Sequence, residues 1–156
     1  MKNLCMSMTL IISSIFLMSC AVTWKTPASF AEVVRDSDEL RVLKANGLMM
    51  KAKVYDNETP GGSEASLEFW SGNIQRSLRE RGYHPVGSQL QIDAFQDTLW
   101  WSSWIHLVQG QSARYTVGMK VNEDKLLLLE ASAIDSIYLS NNQSVMKFFL
   151  DTELSK

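Results

Sequence analysis

Cysteine is nearly missing from this chain of 156 residues: Cys5 and Cys20 are the two, and both lie in the first twenty positions. The remaining 136 residues have no thiol, which excludes a disulfide framework and a Cys-built zinc site from them. Stability there must come from burial, and a domain of this length can bury enough. Charge of one sign is also missing. The formal net charge is −2, with no basic excess to hold nucleic acid and no acidic tract. No apolar run reaches the roughly 20 residues a membrane-spanning helix needs. What is abundant is aromatic surface. Five Trp, six Phe and four Tyr argue for a packed core and against disorder.

The first twenty residues have their own logic. Met1-Lys2 is basic, and Leu4 to Met18 is apolar apart from Cys5 and small hydroxyl residues. A basic start, a short apolar run and a small residue before a cut are the parts of a secretory signal. Here the cut would fall between Ser19 and Cys20. Leu17-Met18-Ser19-Cys20 resembles the lipobox of bacterial lipoproteins. The resemblance implies diacylglycerol on the Cys20 sulfur, removal of residues 1–19, and a further acyl chain such as palmitate on the new N-terminus. Two or three chains hold far more firmly than one. The alternative is an ordinary secreted protein whose signal ends near a cysteine. Cleavage leaves 137 residues, one domain by length, with a net charge of −3, since Lys2 goes and all 17 acidic residues stay. Ala21 is not the aspartate that the bacterial sorting rule links to the inner membrane. The implied location is the envelope, with the outer membrane, facing the periplasm, preferred to the inner.

Residues 20–29 read as the lipidated cysteine and a tether, with Trp24 either at the lipid interface or packed on the domain. Residues 30–156 read as one globular domain. Phe30 to Arg35 and Leu40 to Ala45 are strand-like, and Asn46-Gly47 is a hairpin turn signal into Leu48 to Asp56. Asp56 to Gly62 is a loop. The spacing of Leu67, Trp70, Ile74 and Leu78 predicts a helix over 63–81, N-capped by Ser63 and closed by Gly82. Four strands follow. Tyr83 leads into 89–94; Leu99 to Val108 is apolar on both sides; Tyr115, Val117, Met119 and Val121 alternate with Arg114, Thr116, Gly118 and Lys120; the last is 125–133. A helix over 141–152 ends the pattern and buries Val145, Met146, Phe148 and Phe149. A strand apolar on both faces needs cover on both, and the two helices supply it. The expected fold class is therefore α+β, an antiparallel β-sheet flanked by helices.

Arg81-Gly82-Tyr83 at the helix end, Tyr115-x-Val117-x-x-x-Val121, Leu129-Glu130-Ala131 and the aromatic C-terminal helix together resemble the PsbP-like α/β sandwich over roughly 48–152. That fold occurs in the extrinsic photosystem II subunit and in small DcrB-like lipoproteins. The resemblance implies an accessory domain that docks on larger assemblies. It brings no catalytic set and no cofactor.

Candidate chemistry is sparse. Ser102 and His106 share a strand face about 13 Å apart, and Ser103 and His106 face opposite ways, so neither pair makes a nucleophile and base. His84 suits the surface or a cap. Glu64 and Glu68 read as solvated charge on one helix face, and Asp56-Asn57-Glu58 lacks calcium-loop spacing. Asn57-Glu58-Thr59 and Asn142-Gln143-Ser144 fit a glycosylation sequon, coincidental in a bacterial lipoprotein. Arg76, Arg79 and Arg81 complement a helix C-terminus or hold an acidic partner or lipid headgroups. The sharpest possibility is a partner patch of Trp100, Trp104 and His106. It forms if that strand face is uncovered; otherwise the terminal helix covers it. No metal ligand set is expected. The expected function is a membrane-anchored, non-enzymatic accessory or binding module with an envelope protein partner. The alternatives are a subunit of a secretion or envelope-assembly complex, and a small hydrolase with a site built from distant residues.

Overall fold

The computed structural model describes residues 26–27, 29–36, 40–59, 62–94 and 97–154. Ser19, Cys20 and Trp24 lie outside them, and so do the cleavage site and most of the tether. The elements are β1 (Ala31–Asp36), β2 (Leu40–Ala45), β3 (Leu48–Asp56), α1 (Leu67–Glu80), β4 (His84–Ala94), β5 (Asp97–Val108), β6 (Gln111–Val121), β7 (Lys125–Ile134), α2 (Asp135–Ser140) and α3 (Asn142–Asp151). The strands form one antiparallel sheet in the order β1-β2-β3-β7-β6-β5-β4. Two meanders meet at its centre. After β3 the chain crosses over through α1 to the far edge, then folds back strand by strand until β7 pairs with β3. The α+β class and the flanking helices are as the pattern requires.

Asn46 and Gly47 both take positive φ, 46° and 84°. That is the type I′ geometry an Asn-Gly hairpin supplies, and its twist matches the strands. Gln109 and Gly110 do the same between β5 and β6.

Each face of the sheet has its own core. On one, α2 and α3 set Tyr138, Val145, Phe148 and Phe149 against Met50, Leu127, Leu129 and Leu99. On the other, the Leu67, Trp70, Ile74 and Leu78 stripe of α1 packs on Trp100, Trp104, Val117 and Met119. The alternation along β6 therefore does not mark a wet face. Thr116 and Lys120 are buried with it, Thr116 accepting from the Tyr138 hydroxyl at 2.7 Å. Gly118 is required by contact, because a Cβ there would lie 2.9 Å from Phe149 Cδ2.

Three expectations need correction. First, α1 starts at Leu67, and Ser66, not Ser63, caps it by accepting from Phe69 N at 3.1 Å. Residues 58–59 and 62–64 are held otherwise: Ser63 Oγ is 2.9 Å from Thr59 Oγ1, and Glu58 bridges Glu64. Glu64 and Glu68 thus do not share a helix face. Second, α2 was not expected; it has six residues and no side-chain cap. Third, Met146 is only half-buried on α3.

α1 covers only the β4–β7 half of its face. Across β2 and β3 the same face carries Lys44, Met49, Lys51, Lys53 and Tyr55, exposed or half-buried. The step from covered to uncovered sheet creates the cleft described next.

A candidate binding cleft at the hairpin end

The C-terminus of α1 builds one wall. Its last turn closes as a Schellman motif: Tyr83 N donates to Leu78 O and Gly82 N to Arg79 O, both at 3.0 Å, with Gly82 at φ 79°. The motif delivers Tyr83 to the sheet. Tyr83 stacks on His106 at 4.8 Å between ring centres and tilts against Tyr115 at 5.8 Å. His106 Nδ1–H donates to Gly82 O at 3.2 Å, which ties β5 to the same helix end.

Facing this aromatic wall, β2 and β3 contribute Lys44 and Met49, and Tyr115 and Ser132 form the floor between. The cleft so enclosed has a volume of about 730 Å³ and extends to Val108 and Ala113. Small-molecule sites usually fall between about 300 and 1,000 Å³, mostly apolar, with a few fixed polar groups.

One polar group of the floor, Tyr115, is locked to charged neighbours beside the cleft on the same sheet face. Tyr115 OH donates to Glu130 Oε1 at 2.7 Å, and Lys51 Nζ lies 2.8 Å from Glu130 Oε2. The Glu130 hydrogen bond raises the Lys51 pKa against the lesser effect of burial. Burial first, and then the Glu130 carboxylate, push the Tyr115 phenol far above its ordinary value. Tyr138 on the opposite face is also raised, by burial. A raised folded-state value means the phenol's contribution to stability is intact below the unfolded value near 10 and is lost as pH climbs beyond it. We expect the Tyr115 phenol not to ionise while the fold persists. Spectrophotometric titration should show this tyrosine appearing only with unfolding. Tyr115→Phe should flatten the loss of stability above pH ~10.

The residues singled out by sequence reach this region unevenly. His106 lines the cleft. Trp100 and Trp104 do not: they are 6% and 0% exposed, so the face is covered and makes no aromatic platform. The cover is α1, not the terminal helix, because side chains at 100 and 104 alternate with Leu99 and Trp101, which face α3. Ser102 is buried beside the tryptophans, and Ser103 Oγ is 2.8 Å from Thr116 Oγ1 on the other face. Arg79 places its guanidinium 5.8 Å from the Trp104 ring, and Arg76 and Arg81 are exposed. His84 is exposed at the start of β4. Asn57 is buried and bonded, accepting from Trp70 Nε1 and donating to Asn122 O, each at 2.8 Å. Sequence reasoning missed Tyr83, Tyr115, Glu130 and Lys51 as neighbours. The available signal was Tyr83 directly after a C-cap glycine.

No protein-family model and no curated protein matches the chain. Solved structures do. LpqN of Mycobacterium tuberculosis, involved in cell envelope biogenesis, superposes with a TM-score of 0.64 at 12% identity, over 86% of this chain and 83% of that one. The cyanobacterial PsbP (CyanoP) of Synechocystis sp. PCC 6803 gives 0.54 at 8% identity, over 89% and 95%. A structure from Bacteroides thetaiotaomicron VPI-5482 gives 0.55 at 9%, over 86% of this chain but 45% of that one. At such identities the likeness is one of fold, and the chain carries the PsbP-like α+β fold.

Proposed function

We propose that this protein is a lipoprotein of a bacterial envelope, held on a membrane through Cys20, and that it works as a non-enzymatic accessory module that binds its ligand or partner in the hairpin-end cleft. The cleft carries the reading: it is concave, aromatic on one wall and open. Tyr115 and its neighbours Glu130 and Lys51 are tied to one another in a way that suits a fixed binding surface better than proton transfer. A phenol held neutral by burial and a lysine committed to Glu130 are poor bases. The role of LpqN in envelope biogenesis supports an envelope setting, as does the lipobox. It also favours a second reading, a subunit of an envelope-assembly complex. Among the described residues no helix is long and apolar enough to cross a membrane. Ala21 supports the outer membrane, facing the periplasm.

The anchor has a direct test. The parent chain should incorporate labelled fatty acid and float with membranes. Cys20→Ala should lose all label and keep residues 1–19. Undiminished labelling of the variant would remove the reading.

A further inference from the structure

We infer that the hairpin end of the sheet is a membrane-contacting surface, seated in the headgroup layer of the bilayer that holds the Cys20 lipid. The inference rests on the lipoprotein reading above and adds an orientation to it.

The observations are positional. The antiparallel register brings the β2–β3 tip, the β5–β6 tip, the end of β7, α2 and the start of β1 to one end of the molecule. Among the described residues, that end carries most of the large apolar side chains left in solvent: Val33, Met49, Leu107, Val108, Ile134 and Leu139, with Leu107 68% and Leu139 54% exposed. The others, Tyr55, Phe69 and Leu150, lie singly elsewhere. Exposed apolar side chains gathered at one end point to an interaction surface, whereas single ones need no explanation.

Two independent features select a bilayer as the occupant. The first is where the anchor enters. Ala31 pairs with Lys44, which lines the cleft, so the chain from Cys20 joins the domain at this end. Ten residues span at most about 33 Å when extended, at ~3.3 Å each. The lipid therefore keeps this end within about 33 Å of the membrane, which favours it over the opposite end. The second is charge. Glu58, Glu64, Glu123 and Asp124 gather at the opposite end, around the β6–β7 turn, with Asp56 paired to Lys125. At the hairpin end Lys44 and Arg81 are exposed, Glu32 is paired with Arg41, Asp135 is paired with Arg114, and Glu80 is exposed. Anionic headgroups attract the hairpin end and repel the other. Apolar tips at an end without excess negative charge suit an interfacial contact. In this orientation the cleft, which shares Met49 and Val108 with the apolar rim, opens toward the lipid.

The test uses the full chain, expressed with its signal and recovered with its lipid. If the lipid is on Cys20, no other thiol remains, so one introduced cysteine takes an environment-sensitive dye uniquely. Leu107→Cys and Leu139→Cys report on the hairpin end, and Phe69→Cys, exposed on the first turn of α1, reports on the far end. The proteins are reconstituted into vesicles of phosphatidylethanolamine and phosphatidylglycerol. The expected result is blue-shifted emission at 107 and 139, mostly lost to a quencher carried on the lipid tails, with an unshifted dye at 69. Equal, aqueous emission at all three sites, in protein that floats with the vesicles, overturns the orientation alone. Dye at 107 shielded from aqueous quencher but not reached by the lipid quencher means a protein or a second copy covers this end, and overturns it too. Dye uptake by the parent chain means a bare Cys20 and removes the anchor reading together with the inference.

Discussion

Trp104→Ala is expected to cost about 3–5 kcal/mol of folding stability. With native proteins stable by only about 5–15 kcal/mol, that is about a fifth or more of the total. Trp104 is fully buried at the centre of the core under α1, in contact range of the α1 stripe, Val117 and Met119. The Arg79 guanidinium adds a face-on contact at 5.8 Å. Truncation leaves a cavity whose walls are a paired sheet and a helix, neither of which collapses readily. The size of the loss also depends on the indole N–H. Among the described residues Trp104 Nε1 has no hydrogen-bond partner, and an unpaired buried donor costs about 1–3 kcal/mol. Trp104→Phe removes that penalty and keeps a ring in the site, so it should lose no more than about 2 kcal/mol. Urea unfolding checks both: the midpoints should fall in the order parent, phenylalanine, alanine, with unchanged slope. Leu107→Ala at the exposed tip should stay within about 0.5 kcal/mol of the parent. An alanine variant at 104 as stable as that one would place the tryptophan outside the core.

That tryptophan also shows where sequence reasoning stops. Period-two alternation separates Trp100 and Trp104 from Leu99 and Trp101, and the structure keeps the two sets on opposite faces. Which helix lies on which face depends on crossover topology, and no local pattern encodes that. Asn46-Gly47 was legible because a type I′ turn is decided by two residues. The α1 stripe was legible because it repeats over four turns. Its cap was not, since Ser63 and Ser66 offer the same hydroxyl. The choice falls to Asn57, which holds Trp70 from 13 residues upstream, and to the Thr59–Ser63 contact that uses up the earlier serine. The cleft is less legible still. Lys51 meets Glu130 through the β3–β7 pairing, and Tyr83 meets His106 through a helix end docking on β5. Each contact joins segments that periodicity can assign to a face but not to a neighbour. The antiparallel sheet flanked by helices was readable because it needs only the faces.

Lys120 is the second residue whose loss should be felt strongly, and two opposing effects meet there. A buried cation is costly, and replacing a buried ion pair by apolar groups is often neutral or stabilising. Lys120→Met could on that ground leave stability unchanged. The geometry argues otherwise. Lys120 is 3% exposed, and its Nζ donates to Thr152 O at 2.7 Å and approaches Leu150 O at 3.4 Å. These carbonyls close α3, where the helix presents acceptors without intrahelical donors and the negative end of its dipole. Methionine fills the space of the stem but leaves the carbonyls behind, so only one side of the interaction is removed. Hydrogen bonds from a charged donor contribute about 1.5–3 kcal/mol, and a buried carbonyl stranded without one keeps its desolvation cost. Lys120→Met is therefore expected to lose about 2–3 kcal/mol. Lys120→Ala should lose more, because each buried methylene is worth about 0.8 kcal/mol. The loss should also be local. Amide exchange should speed up in the last turn of α3, at Thr152, whose N–H bonds to Phe148 O, before it changes in β3 or β7. A methionine variant as stable as the parent, with the last turn still protected, would show that desolvation of the ammonium cancels what it gives to the helix end.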